Sequence, residues 1–154
     1  MNYEKYNSYK VAWERMNSAM VNGFFLEAVA IQESIIFDRL RSFLTFAEKQ
    51  DIRDDTPLSK IITRWENVLN KSEKKFGPWD QDKELIAAVR AWGHDRNRVV
   101  HTVVRSQPGF PTKPIEEFLA HSKETAETGL KLVRRIDHWF RKQKTKSTPS
   151  IEQR

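Results

Sequence analysis

Apolar residues recur along this chain at intervals of three and four, which is the period of an amphipathic α-helix. Five stretches carry the pattern, and short joints that are polar or contain Gly and Pro separate them. The pattern predicts helices over residues 3–21, 24–50, 58–74, 81–104 and 115–142. No stretch alternates apolar and polar residues convincingly, so strands are not expected. We therefore predict an all-α fold, a single-domain bundle of about five helices whose long second and fifth helices frame the core.

The joints carry residues that typically end and begin helices. Asn22-Gly23 interrupts the first helical stretch. Thr56-Pro57 is typical of an N-cap followed by proline at the first helical position. Asp80 is a candidate N-cap for the fourth helix. These signals support the boundaries that the apolar period predicts.

The apolar stripes identify the side chains expected to pack inside the bundle. In the second to fifth helices they are Phe25, Val29, Ile36, Leu40, Phe43, Leu44 and Ala47; Ile61, Ile62, Trp65, Val68 and Leu69; Leu85, Ala88, Val89, Trp92, Val99 and Val103; and Phe118, Leu119, Ala126, Leu130, Val133, Ile136 and Phe140.

The length of 154 residues corresponds to one domain. We assign the helical bundle to residues 1–144. Residues 106–114 contain three prolines and one glycine, which predicts a loop. Residues 145–154 are polar and are predicted to form a disordered C-terminal tail.

The charge balance favours an acidic partner. The chain has 27 Lys and Arg against 21 Asp and Glu, a net charge of +6, and part of the excess lies near the C-terminus. This surface could contact RNA, or it could simply be a solvated basic face. Cysteine is absent, which excludes disulfides. No apolar run approaches the roughly 20 residues of a membrane helix. The N-terminus lacks the apolar stretch of a secretory signal, so we expect a cytoplasmic protein.

The candidate chemistry lies near the end of the fourth helix, in the string Arg96-Asn97-Arg98-Val99-Val100-His101. Arg96 keeps its charge and presents a planar fork of donors that suits phosphate. His101 can accept or release a proton near neutrality. Together they could cleave a phosphodiester without a metal. The alternative is that Arg96 and His101 are ordinary residues of a solvated helix face.

Helical geometry separates the two side chains. Five residues at about 100° each leave Arg96 and His101 about 140° apart around the axis. Arg96 continues the apolar stripe of Trp92 and Val99, so it should be paired in the interior or face a partner. A homodimer around the fourth helix, with Val99 as a contact, would bring both residue types into one cleft.

An all-α bundle whose late helix holds Arg, a polar residue and then His resembles the HEPN superfamily (higher eukaryotes and prokaryotes nucleotide-binding domain). The residues that carry the resemblance are Arg96, Asn97 and His101. It implies a metal-independent endoribonuclease, a toxin or phage-defence effector that acts on RNA as a homodimer, with a cognate antitoxin or other system protein as a possible partner. Other members are inactive and bind nucleotide, RNA or protein. That role is the alternative here.

The chemistry implied by the resemblance assigns three catalytic residues. His101 is the general acid or base, Arg96 stabilises phosphate charge, and Asn97 orients one of them. RNA supplies its own 2′-hydroxyl nucleophile, so DNA should resist cleavage. Residues expected to contact the substrate are Arg98, His94, Glu33 and Arg105. No cofactor and no metal are expected, because the histidines and carboxylates lack a standard ligand spacing.

Alternatives remain open for several of these residues. Glu33 and Glu27 could each be a surface charge of the second helix rather than part of the site. His94 could be a structural histidine beside Gly93. The histidines of the last helix, His121 and His138, are interpreted as surface residues.

Overall fold

The computed structural model describes residues 3–71, 80–101, 109 and 114–146. Its helices are α1 (Tyr3–Asn22), α2 (Phe25–Glu48), α3 (Leu58–Lys71), α4 (Asp80–His101) and α5 (Ile115–Lys146). In this described part there is no strand, and the five helices form a single domain. The predicted all-α bundle is confirmed. Within the same residues, no helix combines the length and apolar character needed to cross a bilayer.

The helix ends differ from prediction by a few residues. α2 ends at Glu48, where Lys49 adopts a left-handed backbone conformation with φ of 55°. α5 continues to Lys146, four residues beyond its predicted end and two into the predicted tail. The rest of that tail, most of the predicted 106–114 loop and the predicted last turn of α4 lie outside the described residues.

The core follows the predicted stripes closely. All five predicted positions of α3 are buried, among them Trp65 with no exposed surface. Trp65 packs edge-on against Trp139 of α5, with ring centroids 5.0 Å apart. Trp92 of α4 is also buried, as its place on the predicted stripe of that helix indicated. Val103 lies outside the described residues.

Cross-helix contacts fix the directions of the helices. Arg15 pairs with Glu27 and Tyr9 with Asp38, so α1 runs antiparallel to α2. α4 runs antiparallel to α5. Glu84, early in α4, pairs with Arg135, whereas Trp92, later in α4, bonds to Thr125, which comes earlier in α5. α2 and α5 run in the same direction and pack against each other. The starts of α2 and α5 therefore meet the ends of α1 and α4 at one end of the bundle.

Two buried polar side chains join α2 and α4 to α5. Gln32 donates from Nε2 to the carbonyl of Ala126 at 2.8 Å. Trp92 donates from Nε1 to the carbonyl of Thr125 at 2.9 Å. Both reach the α5 backbone at Gly129, where an added Cβ would overlap Gln32 Oε1 and lie 2.8 Å from Trp92 Nε1. A side chain at this position is therefore incompatible with the present packing.

The segment between α2 and α3 folds back beside α2. Arg41 of α2 forms ion pairs with Asp51 and Asp54, and Ile52 between them is buried. The hydrogen bond from Arg41 holds the pKa of Asp51 below its ordinary value. This return brings the start of α3 into the same cleft as Glu33 of α2.

Candidate functional site

A cleft of about 590 Å³ opens where three helices meet. Its walls are the start of α3, residues 90–97 of α4, and Glu33 of α2. The backward path of the α2–α3 segment makes this meeting possible. Of the residues predicted for the site, Glu33, His94, Arg96 and Asn97 line this cleft.

Arg96 is anchored on the inner wall of the cleft. Its guanidinium forms an ion pair with the Glu33 carboxylate, and only 23% of each side chain is exposed. Arg96 Nη1 also donates to Asn97 Oδ1 at 2.8 Å. The sequence predicted that a charge on this stripe would be paired inside or face a partner, and the structure has it paired. Glu33 is therefore not an isolated surface charge.

The contact with Arg96 fixes the amide of Asn97. A guanidinium carries only donors, so it must meet the amide oxygen and not the amide nitrogen. The Asn97 side chain is otherwise exposed, which leaves its NH₂ group directed away from Arg96. Glu33, Arg96 and Asn97 thus form a chain that ends in two N–H donors at the cleft surface.

His101 does not line the cleft, although it shares a helix face with the residues that do. It is exposed at the last position of α4. Counting about 100° per residue, His94, Asn97 and His101 fall within about 60° of one another. His101 lies one turn past Asn97, about 6 Å further along the axis. Within one protomer, the structure therefore brings Arg96 and Asn97 together and leaves His101 at the margin.

The remaining predicted residues lie in different surroundings. His94 is exposed and lines the cleft, which does not favour the alternative of a structural histidine beside Gly93. Arg98 is 63% exposed and lies 3.8 Å from Asp95. Glu27 pairs with Arg15 at 2.6 Å on the α1–α2 surface and does not line the cleft. Arg105 lies outside the described residues.

The two histidines of α5 differ. His138 is exposed, as predicted. His121 is half-buried, and its Nε2 is enclosed with no hydrogen-bond partner among the described residues, so its interpretation as a surface residue was wrong.

Three cations of the cleft were missed by the sequence analysis. Lys60 and Arg64 project from the first turns of α3, and Arg90 lies one turn before His94 on α4. Arg64 pairs with Glu48, and Arg90 pairs with Glu66 at 2.6 Å. The spacing of Arg90, four residues before His94 and seven before Asn97, was the available signal. The α3 cations carried no such signal, because only the chain reversal before α3 brings them here.

The cleft combines fixed cations, the Asn97 amide and the exposed imidazole of His94, a set suited to an anionic ligand. In the described part of the chain, no three His, Asp or Glu side chains are grouped closely enough to hold a metal ion. Comparison with protein-family models, curated proteins and solved structures finds no match.

Proposed function

We propose that this chain is a cytoplasmic, metal-independent endoribonuclease that uses the α4 face of His94, Asn97 and His101. One observation carries the proposal: two imidazoles and the oriented Asn97 amide occupy a single helix face beside a cationic cleft. The motif resemblance to HEPN ribonucleases points to the same residues.

The structure alters the roles that the sequence suggested. Arg96 is occupied by Glu33 and Asn97, so it acts as a positioning residue. The Asn97 amide and the guanidinium of Arg90 are better placed to meet phosphate oxygens. His101 takes the proton of the RNA 2′-hydroxyl or protonates the leaving 5′-oxygen. A positioned acid or base of this kind contributes about 10²- to 10⁴-fold.

A second copy is required to complete the site. His94 and His101 are seven residues apart, about 10 Å along the helix, too far to serve as acid and base at one phosphate. Pairing of two protomers through the ends of their α4 helices would place two His101 side chains near one cleft. This arrangement is a homodimer related by a two-fold axis.

The surface beside His101 supports such pairing. We use the name apolar end for the exposed hydrophobic side chains where α1 and α4 end and α2 and α5 begin. They are Val21, Phe24, Leu26, Val100, Ile115 and Leu119, each between 41% and 86% exposed. Exposed apolar side chains grouped at one end of a bundle, next to a polar site, are typical of a protein–protein interface.

The biological role follows from the resemblance. An RNA-cleaving chain of this kind would act as a toxin or phage-defence effector, with an antitoxin or another system protein covering it. Expression of the wild-type chain should slow bacterial growth, and His101→Ala should remove the effect. Growth inhibition that is equal for both would contradict the assignment of His101.

A non-catalytic role is the second candidate, and the pairing of Arg96 with Glu33 favours it. An arginine neutralised by its own carboxylate offers less charge to a transition state than a free one. In this case the cleft would bind a nucleotide, RNA or a protein partner without reaction.

Incubation of purified protein with RNA in EDTA separates the two candidates. We expect the wild type to cut, to leave a 2′,3′-cyclic phosphate or its hydrolysed form, and to fail on a strand with 2′-deoxy residues. His101→Ala should lose about 10² or more in rate. His138→Ala, an exposed histidine on α5, is the matched control and should keep full activity. RNA binding without cleavage would leave the binding role, and cleavage only after a divalent ion is restored would identify a metal nuclease.

Asn97→Asp tests the fixed amide. The new carboxylate still accepts from Arg96, so the fold should keep its melting temperature. It removes the two N–H donors and adds a charge that repels phosphate, so the cleavage rate should fall about 10- to 100-fold. Unchanged cleavage would remove Asn97 from the site.

A further inference from the structure

A second recess of about 320 Å³ continues the cleft along α4. It lies between α3 and α4, and its lining includes Glu66, Lys83, Ala87 and Ala91. Arg90 and His94 line both the cleft and this recess. The two depressions therefore form one groove, which we call the α4 groove.

Polar side chains follow the α4 groove in a single row. At about 100° per residue, Lys83, Arg90, His94, Asn97 and His101 all fall within a sector of about 60°. The row extends over 18 residue steps, or about 27 Å of helix. Its members are cations, titratable groups and an amide donor, with no carboxylate among them.

Short side chains of α4 line the second recess. Exposed Ala87 and Ala91 border the row between Lys83 and His94. Such short side chains let a sugar–phosphate backbone approach the helix closely. A recess of about 320 Å³ is far smaller than a duplex would fill, so a single strand is the expected occupant.

The charges suit a polyanion. Five cations line the α4 groove, against the two carboxylates Glu33 and Glu66. Glu33 is held by Arg96, and Arg64 is held by Glu48, which does not line the groove. The pair of Arg90 and Glu66 is about 40% exposed on both sides, and exposed pairs of this kind are weak. A phosphate can therefore replace Glu66 at Arg90.

We propose that the α4 groove binds a single-stranded RNA segment that flanks the cut site, with Lys83 as the distal phosphate contact. This assignment rests on the proposed function for the identity of the nucleic acid. Phosphates about three nucleotides apart would meet Lys83, Arg90 and the Asn97 amide, and the reactive phosphate would lie at the His101 end. At a stacked spacing of about 3.4 Å per nucleotide, the row spans about eight nucleotides.

The test uses fluorescein-labelled 2′-O-methyl oligouridylates of three to twelve nucleotides, which cannot react, and a duplex of the longest length. We expect the affinity of the wild type to rise with length up to about eight nucleotides and then level off, with the duplex weaker. Lys83→Gln should weaken binding of the eight-mer about three- to tenfold and leave the three-mer unchanged. Lys131→Gln, which removes the same charge from exposed α5, is the matched control and should have no effect.

A second variant pair tests the floor of the groove. Ala91→Glu should weaken the eight-mer, and Ala91→Gln, which has the same size without the charge, should weaken it less. Equal effects of Lys83→Gln and Lys131→Gln, or a duplex bound as tightly as the single strand, would overturn the proposal. If the strands bind as expected and RNA is never cut, the α4 groove stands and the ribonuclease assignment fails. If RNA is cut and Lys83→Gln leaves the length dependence unchanged, the groove assignment alone fails.

Discussion

At the scale of single residues, the Arg96–Glu33 ion pair should stabilise the fold, in addition to the positioning role that we propose for Arg96. Its charge lies on the apolar stripe of α4, where it can be tolerated only with a partner. The sequence predicted this conflict from Trp92 and Val99. It identified Glu33 as a candidate for the site, but the Arg96–Glu33 pair itself depends on the packing of α2 against α4.

Arg96→Ala should therefore reduce stability as well as activity. The variant leaves the Glu33 carboxylate largely enclosed without its cation, which should cost about 1–3 kcal/mol of unfolding free energy. The double variant with Glu33→Gln should recover most of that loss while cleavage stays low. Urea denaturation of the three proteins measures both effects. If Arg96→Ala unfolds at the wild-type urea concentration, the ion pair contributes nothing to the fold.

At the scale of helices, the sequence predicted the buried residues correctly where a single face of the helix makes all the packing contacts. α3 has a sharply segregated apolar face, and each predicted position is buried. α5 is longer, and its predicted stripe was wrong at Leu119, which is 53% exposed, and omitted Trp139, which is 5% exposed. A helix of this length packs against α2 and α4 on two different sides. A single periodic stripe cannot describe that arrangement.

The approach of α2 and α4 to α5 depends on Gly129. Gly129→Ala should displace Gln32 and Trp92 and lower stability by about 2 kcal/mol or more. Gly93→Ala is the matched control, since its Cβ would lie at an ordinary 4.0 Å from Leu58. That substitution should stabilise α4, because alanine favours helix by about 1 kcal/mol over glycine. Thermal unfolding of both variants measures the contrast, and equal melting temperatures would show that the helices can separate without cost.

The contact between α1 and α2 should make the protein sensitive to alkali. Burial, together with the 2.6 Å hydrogen bond to Asp38, raises the pKa of Tyr9 above its ordinary value. The folded state thus holds this proton more tightly than the unfolded chain. Stability from Tyr9 is complete below about pH 10 and is lost as the pH rises above that value.

Tyr9→Phe should lower stability at neutral pH by about 0.5–1.5 kcal/mol, since it removes one hydrogen bond. It should also make the decline above about pH 10 less steep than in the wild type. Tyr6→Phe, at a position 58% exposed, is the control and should change neither quantity. Urea midpoints measured across the alkaline range make the comparison. A decline as steep in Tyr9→Phe as in the wild type would assign the alkaline transition to other groups.

At the scale of the whole molecule, the proposed dimer surface differs from the predicted one. Val99 was expected to contact the partner, but it is completely buried within its own protomer. A charge there would disrupt the core. The exposed side chains of the apolar end lie on α1, α2, α4 and α5, and only the directions of the helices bring them together. The periodicity of one helix therefore could not identify them.

Leu119→Asp should separate the dimer while the fold is kept. Its side chain is half-exposed in the protomer, so a charge costs little there and much in an apolar interface. Sedimentation should show a monomer, circular dichroism should stay helical, and RNA cleavage should fall in parallel. Val11→Asp, 58% exposed on α1, is the control and should remain a dimer. A wild-type chain that is monomeric and fully active would exclude a site that needs two protomers.

The arginines of the cleft carry their own counterions within the fold. Glu33, Glu48 and Glu66 neutralise Arg96, Arg64 and Arg90 before any ligand arrives. A phosphate that displaces a glutamate still releases cations condensed on the RNA, but the freed carboxylate keeps its negative charge beside the strand, so fewer phosphates are effectively neutralised. Association should consequently depend on added salt more weakly than the number of cations implies. Glu66→Gln, which removes one of these carboxylates, should strengthen it.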